Sequence, residues 1–252
     1  MYMYTLHTLL KLVHFLYNVY LEIFCACITM YQKLAALRRE TPEFDNDNML
    51  LYVHARTKKL PGHLVIVLGL CDESVLDCVR IIGWCIALNI PYISFFDRNG
   101  FLKKNEANLK EEFAKKRPDL IERIIWNSHT KLPSQNGITD SRWKINVSLL
   151  SDIDNKGKIA TLVQTLARAV LSGNFDPEDI EDQVLSEKFD MRGMPNPDLA
   201  LIYGYTCSTH GLLPWHTRTT EFCMLPLYVS ISLKDFMYLL ERYSKTVQRY
   251  GK

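Results

Sequence analysis

The chain has 252 residues, enough for one sizeable domain plus an accessory segment. A hydrophobic content of 48% and a charged content of 23% are ordinary for a globular domain, and a net charge of +2 gives no reason to expect nucleic acid as a partner. Seven cysteines, an odd number spread without a tight disulfide framework, favour a reducing compartment.

Residues 1–40 differ from the rest of the chain and predict a membrane-associated helix. The run 12–31 is mostly apolar and aromatic, contains no Gly or Pro, and is long enough for a membrane helix of about 20 residues. Glu22 opposes insertion, because a charge is costly near the middle of a bilayer. Basic residues follow at Lys33, Arg38 and Arg39. They would keep the domain on the cytosolic side. A helix that spans the bilayer, one that lies on its surface and one packed on the domain all fit this pattern.

Residues 41–59 are polar and predict a linker, and beyond them short apolar runs alternate with helical patterns over residues 60–252. The predicted strands are 64–70, 91–96, 143–150 and 197–202, with a turn at 97–100 after the second. The predicted helices are 74–88, a charged helix that ends at Arg117, 159–171, 177–185 and a last helix that starts at Ser232. Strands separated by helices predict an α/β fold with a mainly parallel central sheet flanked by helices.

The last helix and the residues after it form the most informative segment of the chain. Ser232 and Asp235 make a capping-box start. Apolar residues then recur at helical spacing, at Phe236, Leu239, Leu240, Tyr243 and Val247. Arg249 and Gly251 follow: Arg offers a planar fork of donors that suits phosphate, and Gly lets a backbone N–H approach an anion. The alternative is that these two residues only end the helix and complement its dipole.

Four separated segments resemble the cis-prenyltransferase family, and within it the Nogo-B receptor group, the non-catalytic subunits of dehydrodolichyl diphosphate synthase. The segments are LPGHLVIVL at 60–68, PYISFFD at 91–97, PDLALIYG at 197–204 and GLLPWHTRTTE at 211–221, in the family's order. The resemblance extends from about residue 60 to the last residue and implies the cis-prenyltransferase (undecaprenyl diphosphate synthase-like) fold. In that family a C-terminal Arg-x-Gly is a functional motif, and it falls on Arg249 and Gly251.

The resemblance also shows which catalytic residues this chain lacks. In catalytic members the first strand ends in Asp-Gly-Asn-Arg-Arg, whose Asp handles the metal and whose Arg residues hold phosphate, whereas this chain has Leu-Gly-Leu-Cys at 68–71. Their second phosphate motif, Arg-Thr-Ser-Gly-Glu, is also missing, and Ile202 stands where its first Arg would be. Because ionisation of an allylic diphosphate needs Mg²⁺ and cationic side chains, we expect the chain to be inactive alone.

By resemblance, the tail crosses a heteromer interface and completes the active site of a catalytic cis-prenyltransferase partner. Arg249 would contact isopentenyl diphosphate with its side chain, and Tyr250 and Gly251 with their backbone amides. Mg²⁺ and both substrates, isopentenyl diphosphate and the allylic diphosphate, would be bound chiefly by the partner, and this chain would supply no metal ligand. The complex would lie at the endoplasmic reticulum membrane with its domain in the cytosol, and would make long polyprenyl diphosphate for dolichol and protein glycosylation.

The same resemblance places the heteromer interface in the segment after the strand led by Asp198-Leu199. The interface residues expected there are Trp215, Leu212, Leu213, His216 and Phe222. Apolar and aromatic residues of this kind make up interface cores. The alternative is that Trp215 is an ordinary buried core residue.

Two competing interpretations remain open from the sequence. The first is a membrane-tethered receptor or scaffold protein on a catalytically dead fold, which the missing motifs fit equally well. The second is an active homodimeric enzyme, which the missing Asp and Arg residues oppose. A zinc site can also be drawn from Cys207, His210, His216 and Cys223, but its spacing matches no common structural zinc pattern and opposes it.

Overall fold

The central feature of the domain is a six-stranded parallel sheet. The computed structural model describes residues 2–38, 55–68, 75–127, 144–189, 193–204, 207–225 and 231–247. The strands are β1 (His63–Leu68), β2 (Tyr92–Asp97), β3 (Ile124–Trp126), β4 (Ile145–Leu150), β5 (Leu199–Ile202) and β6 (Glu221–Met224). Their order is β3-β4-β2-β1-β5-β6, and every neighbouring pair is parallel. The predicted fold class is confirmed.

Seven helices surround or precede the sheet in the described residues. They are α1 (Tyr2–Arg38), α2 (Val75–Ala87), α3 (Phe101–Lys104), α4 (Glu106–Lys116), α5 (Lys156–Leu171), α6 (Asp182–Phe189) and α7 (Leu233–Lys245). Short 3-10 turns lie at Pro118–Arg123, Asp152–Asp154 and Pro177–Asp179. The chain divides into two units, one that holds α1 and one that holds the α/β domain.

The two faces of the sheet carry two separate apolar clusters. On the first face, alternate residues of the strands, such as Leu64, Ile66 and Phe95, pack with α2, α4 and α7 in the larger cluster. On the second face, Val65 and Val67 belong to a smaller cluster. Because both faces are covered, all six residues of β1 are buried, and such a strand has a continuous apolar sequence rather than an alternating one.

The final helix follows its sequence signals except at its end. The Ser232 hydroxyl accepts the backbone N–H of Asp235 at 3.2 Å, which confirms the predicted cap. The predicted stripe is buried as far as Tyr243. Val247 does not belong to it: α7 ends at Lys245, Thr246 is extended, and Val247 is 85% exposed. The prediction for Val247 is therefore wrong, because the helix stops one turn earlier than the apolar spacing suggests.

The end of the predicted linker 41–59 packs on the domain. Thr57 is buried, Leu60 packs against the larger apolar cluster, and the Lys59 ammonium lies 4.8 Å from the ring centroid of Tyr243 on α7. A cation over an aromatic face is attracted by the ring quadrupole. Residues 57–59 are thus part of the domain, whereas 41–54 lie outside the described residues.

Large apolar side chains of α1 lie exposed, Phe15, Leu16 and Tyr20 among them. Among the described helices, none is both long enough and apolar enough to cross a bilayer. The predicted association of residues 12–31 with a membrane stays a prediction.

A buried histidine at the start of β1 makes the stability of the domain depend on pH. His63 is fully buried; its Nδ1 donates to the Pro195 carbonyl at 2.7 Å and its Nε2 accepts from the Ser94 hydroxyl at 2.8 Å. Burial lowers the pKa of His63 below its usual value, which keeps the ring neutral in the folded protein.

We expect the free energy of unfolding to fall as the pH drops below about 6.5, by up to ~1.4 kcal/mol per pH unit, because there the unfolded chain protonates His63 and the folded chain does not. The loss ends once the pH passes the lowered folded-state pKa. Urea unfolding between pH 7.5 and 5 measures this slope, and His63→Gln should reduce it. His14→Gln, at an exposed position of α1, is the control. Equal slopes in the two variants would contradict the prediction.

Candidate partner-docking surface

The connection from β5 to β6 has an unusual backbone. Its central part, residues 209–217, is called the crossover loop below. His210, Gly211 and Leu213 have φ values of 48°, 84° and 31°. Left-handed conformations are open to glycine but cost about 1–3 kcal/mol at other residues, and for a bulky residue such as Leu213 they are outliers. Contacts from the rest of the domain must therefore hold this loop.

Two leucines anchor the crossover loop to the second face of the sheet. Leu212 and Leu213 are buried in the smaller apolar cluster with Val65, Val67 and Ile202. Backbone hydrogen bonds from Leu212 to Thr209, and from His216 and Thr217 to Leu213, close the loop on itself. Both leucines lie in the chain's own core, and their predicted interface role stays a prediction.

A buried asparagine at the start of α5 makes the most specific contact with the loop. Asn155 is 2% exposed, and its Oδ1 accepts the backbone N–H of Leu213 at 2.8 Å. Its Nδ2 donates to the Ser151 carbonyl at 2.7 Å. The amide thus joins the end of β4 to the strained residue of the crossover loop.

The neighbouring Lys156 covers the loop glycine. A Cβ atom built on Gly211 would lie 2.6 Å from the Lys156 Cε and 2.9 Å from its Cδ. The positive φ of 84° explains why glycine occupies the position, and the lysine stem packs on the space that the missing side chain leaves.

The start of α5 is fixed by a capping box and an ion pair. The Asp154 carboxylate accepts from the Ser151 N–H and hydroxyl, both at 2.9 Å, and pairs with Lys103 of α3. Burial by itself would raise the pKa of Asp154, but the hydrogen bonds and charge of Lys103 and the bonds from Ser151 outweigh it and lower the pKa below its usual value. The carboxylate is therefore ionised at neutral pH and holds Asn155 in place.

An apolar surface lies beside the loop. The Trp215 ring is half-buried and packs on Phe189 of α6 with ring centroids 5.2 Å apart, and His216 and Phe222 are also half-buried. No residue of α5 is buried, although the helix has an apolar stripe, and Leu171 at its end is 87% exposed. An amphipathic helix gains most of its stability from burial of its apolar face. The apolar stripe of α5, together with Trp215, His216 and Phe222, is called the docking surface below.

The sequence predicted α5 but not the partial exposure of its stripe. The stripe consists of Ile159, Leu162, Leu166, Ala169 and Val170, all partly exposed. The charged residues of α5 are all basic: Lys156, Lys158 and Arg168. Nothing in this pattern distinguishes a helix packed on its own sheet from one that a partner covers, because amphipathicity is the same in both cases.

At the carboxyl edge of the sheet, the described polar residues serve the fold. The Asp97 carboxylate accepts the N–H groups of Asn99 at 2.8 Å and Leu102 at 3.2 Å, which confirms the predicted turn and starts α3. Ile202, at the end of β5, is 1% exposed. Arg80 on α2 pairs with Asp77 at 3.2 Å.

Asp198, which precedes β5, faces the opposite edge. Its Oδ2 accepts the backbone N–H groups of Gly62 at 2.8 Å and His63 at 3.1 Å. A carboxylate bound to two amides ties the start of β5 to the start of β1 and is not directed toward the carboxyl edge.

Two further predictions concern metal and tail residues. Within the described residues, no group of three or more His, Cys, Asp and Glu side chains could hold a metal ion, and Cys207, His210, His216 and Cys223 therefore do not form the zinc site considered above. Arg249, Tyr250 and Gly251 lie outside the described residues, and their roles stay predictions.

Comparison with known proteins gives a consistent result, although no protein-family model matches the chain. The chain is 32% identical to the human dehydrodolichyl diphosphate synthase complex subunit NUS1 over 199 residues, which cover 77% of this chain and 68% of the human protein. The mouse subunit is likewise 32% identical over 199 residues, which cover 77% of this chain and 67% of that protein.

A solved structure supports the fold. Lavandulyl diphosphate synthase from Lavandula x intermedia, in complex with dimethylallyl diphosphate, superimposes with a TM-score of 0.56 at 15% identity, over 77% of this chain and 99% of that chain. This likeness confirms the prenyltransferase fold expected from the sequence. By its similarity to the human and mouse subunits, the chain belongs to the NUS1 family of dehydrodolichyl diphosphate synthase complex subunits.

Proposed function

We propose that this chain is the non-catalytic subunit of a heteromeric cis-prenyltransferase that makes long-chain polyprenyl diphosphate. The observation that carries the proposal is a prenyltransferase sheet whose β5 ends in Ile202, buried to 1% exposure, where catalytic members of the family place a phosphate-binding arginine. A buried isoleucine cannot neutralise the diphosphate that leaves during prenyl transfer. The named relatives, which are subunits of a complex, support the same conclusion.

The chain is therefore inactive alone and depends on its partner for Mg²⁺. Among the described residues, Asp97 and Asp198 give their carboxylates to backbone amides, and no cluster of metal-binding side chains occurs. A Mg²⁺ site needs carboxylates or phosphates that are free to coordinate. The described residues do not fit this ion, and we assign it, with the larger part of both diphosphate substrates, to the catalytic subunit.

The docking surface is the place where that catalytic subunit binds. Asn155 and Lys156, at the start of α5, contact the crossover loop that carries Trp215. Half-exposed aromatic and aliphatic side chains of this kind supply the core of protein interfaces. The charged residues of α5 are all basic, which favours a partner surface with carboxylates at its rim.

The residues after α7 complete the partner's isopentenyl diphosphate site. Arg249 supplies a guanidinium that binds phosphate in a bidentate manner, and the amides of Tyr250 and Gly251 supply neutral donors. The bond of Ser232 to Asp235 and the buried stripe of α7 give these residues a firm base. This role distinguishes the proposal from a receptor or scaffold, which has no use for a phosphate-binding tail.

The N-terminal unit would hold the complex at the endoplasmic reticulum membrane with the domain in the cytosol. The exposed apolar side chains of α1 and the basic residues at Lys33, Arg38 and Arg39 support this part of the proposal. A polyprenyl product is itself insoluble in water, so a membrane position suits the reaction.

Prenyl transfer by each chain alone and by their mixture tests the proposal. We expect this chain alone to incorporate no isopentenyl unit, and the catalytic cis-prenyltransferase subunit of the same organism to co-purify with it and to gain activity from it. The measurement is incorporation of labelled isopentenyl diphosphate at fixed Mg²⁺. Elongation by this chain unaided would show an active homodimer, and failure to bind or stimulate the catalytic subunit would favour the receptor alternative.

Arg249→Ala should lower the activity of the assembled complex tenfold or more. One charge-assisted contact to a phosphate is worth about 1.5–3 kcal/mol. Because Arg249 lies beyond α7, we expect the complex to stay assembled in size-exclusion chromatography. Lys245→Ala, which removes an exposed cation from the last turn of α7, is the matched control and should keep full activity. Undiminished turnover of the Arg249 variant would refute the role of the tail.

Trp215→Ala should weaken the binding of the catalytic subunit by about 2 kcal/mol or more, or roughly 30-fold in Kd, as expected for an aromatic residue at an interface centre. Trp126→Ala is the matched control: that ring is also half-buried, but it lies on β3 at the other edge of the sheet from β6. Isothermal titration calorimetry with the purified subunits measures both constants. Equal Kd values for the two variants would rule out the docking surface.

A further inference from the structure

We infer that Asn155 and Lys156 are positioning residues that hold the crossover loop in the conformation that binds the catalytic subunit. This inference rests on the proposed function and adds to it the part of the chain that controls the docking surface. Neither residue is among the interface residues predicted from the sequence. Both act from the start of α5 on a loop that is distant in sequence, since 58 residues separate Asn155 from Leu213.

The backbone of the crossover loop is strained. Leu213 has a φ of 31° and His210 a φ of 48°, and neither is a glycine. Such residues keep a left-handed backbone only where the surroundings enforce it. Without those contacts the loop would populate relaxed conformations, and Trp215, two residues after Leu213, would move with it.

Asn155 holds the strained conformation at Leu213 itself. Its Oδ1 accepts the N–H of Leu213 at 2.8 Å, and its Nδ2 is bound to the Ser151 carbonyl at 2.7 Å. The side chain is 2% exposed, so water cannot replace the bond without a rearrangement. The amide is fixed on both sides, which sets the position of Leu213 relative to β4.

The Lys156 stem also packs closely on Gly211 of the loop. The Lys156 stem lies so close to Gly211 that an added Cβ would be 2.6 Å from its Cε. The aliphatic part of a lysine can cover a surface in this way while its ammonium stays in water. A methyl group at position 211 would push the lysine and the loop apart.

The residues just before α5 are fixed by their own contacts, so Asn155 and Lys156 can hold the crossover loop in place. Ser151 and Asp154 form the capping box of the Asp152–Asp154 turn, and Asp154 is paired with Lys103 of α3. Asn155 and Lys156 follow this turn directly. The ion pair and the cap thus fix the residues from which Asn155 and Lys156 reach the loop.

The consequence for binding is a population effect. A partner that binds only the held conformation has an apparent Kd that increases in proportion to the loss of that conformation. Loss of one buried hydrogen bond at Leu213 should therefore raise the Kd for the catalytic subunit about tenfold. At saturating concentrations of this chain the complex forms completely, and its turnover should equal that of the wild type.

A double-mutant cycle with the purified catalytic subunit of the same organism tests the inference. We expect Asn155→Ala to raise the Kd about tenfold in the wild-type background and to have little further effect when Trp215→Ala is already present, because both act through one loop. Asn127→Ala is the matched control: its amide also donates to a side chain, Ser148 Oγ at 3.2 Å, but it does not contact the loop. Thermal unfolding of each isolated variant checks that it is folded.

A second pair of variants keeps the test decisive if Asn155→Ala does not fold. Gly211→Ala should weaken binding, and Lys156→Ala added to it should restore part of the affinity, because the clash with the lysine stem is then absent. The restoration is partial, since alanine remains strained at a φ of 84°.

The outcomes distinguish failure of the proposed function from failure of the positioning role. If the wild-type chain does not bind the catalytic subunit, the proposed function is wrong. If the wild type binds and Trp215→Ala weakens it, but Asn155→Ala binds normally or its effect adds fully to that of Trp215→Ala, the positioning role is wrong. Failure of Lys156→Ala to restore any affinity to Gly211→Ala would overturn it as well.

Discussion

The hydrogen bonds that the backbone N–H groups of Gly62 and His63 donate to the Asp198 carboxylate set the register on which the rest of the domain depends. They join the start of β5 to the start of β1, and from that point Leu64 pairs with Leu199 and Val67 with Ile202. A shift of one residue would exchange the two faces of β5, so that Leu199 and Leu201 would leave the larger apolar cluster for the smaller one. The Asp-Leu pair that resembles catalytic prenyltransferases thus has a structural task in this chain, independent of any reaction.

The register in turn defines two faces with different tasks. The first face is covered by α2, α4 and α7, and its cluster contains side chains as large as Phe95, Phe113 and Phe236. The second is covered in part by Leu212 and Leu213 of the crossover loop. Because the same loop carries Trp215, the packing that completes the second core also presents the docking surface. Under the proposed function, folding and partner recognition are coupled at this loop.

The sequence predicted the elements whose signals are local. Strands β1, β2 and β5 were predicted because burial on both faces makes their sequences nearly continuously apolar, whereas β4 was predicted from the alternation of its apolar residues. The two edge strands were missed, since β3 has three residues and β6 has four and begins with Glu221. Such short segments carry too few residues for a periodic pattern.

The candidate site was only partly predictable, because its decisive contacts are tertiary. Trp215 was identified by resemblance, but nothing in the sequence connects Asn155 to Leu213, and an asparagine before a helix normally indicates a cap. Leu212 and Leu213 were assigned to the interface although they are buried in the core. An apolar side chain favours burial, but its residue type does not show whether the chain's own core or a partner buries it.

The position that carries the proposed loss of catalysis and the residue that anchors the crossover loop lie in one apolar cluster. Ile202 and Leu213 belong to the same apolar cluster, with Val67 and Phe96. An arginine at position 202 would bring a guanidinium into this cluster, and a buried charge without a partner is strongly destabilising. Isoleucine instead contributes about 1.5–3 kcal/mol through burial of its side chain. Under the proposed function, isoleucine at position 202 both removes a phosphate ligand from the end of β5 and strengthens the surface on which the crossover loop rests.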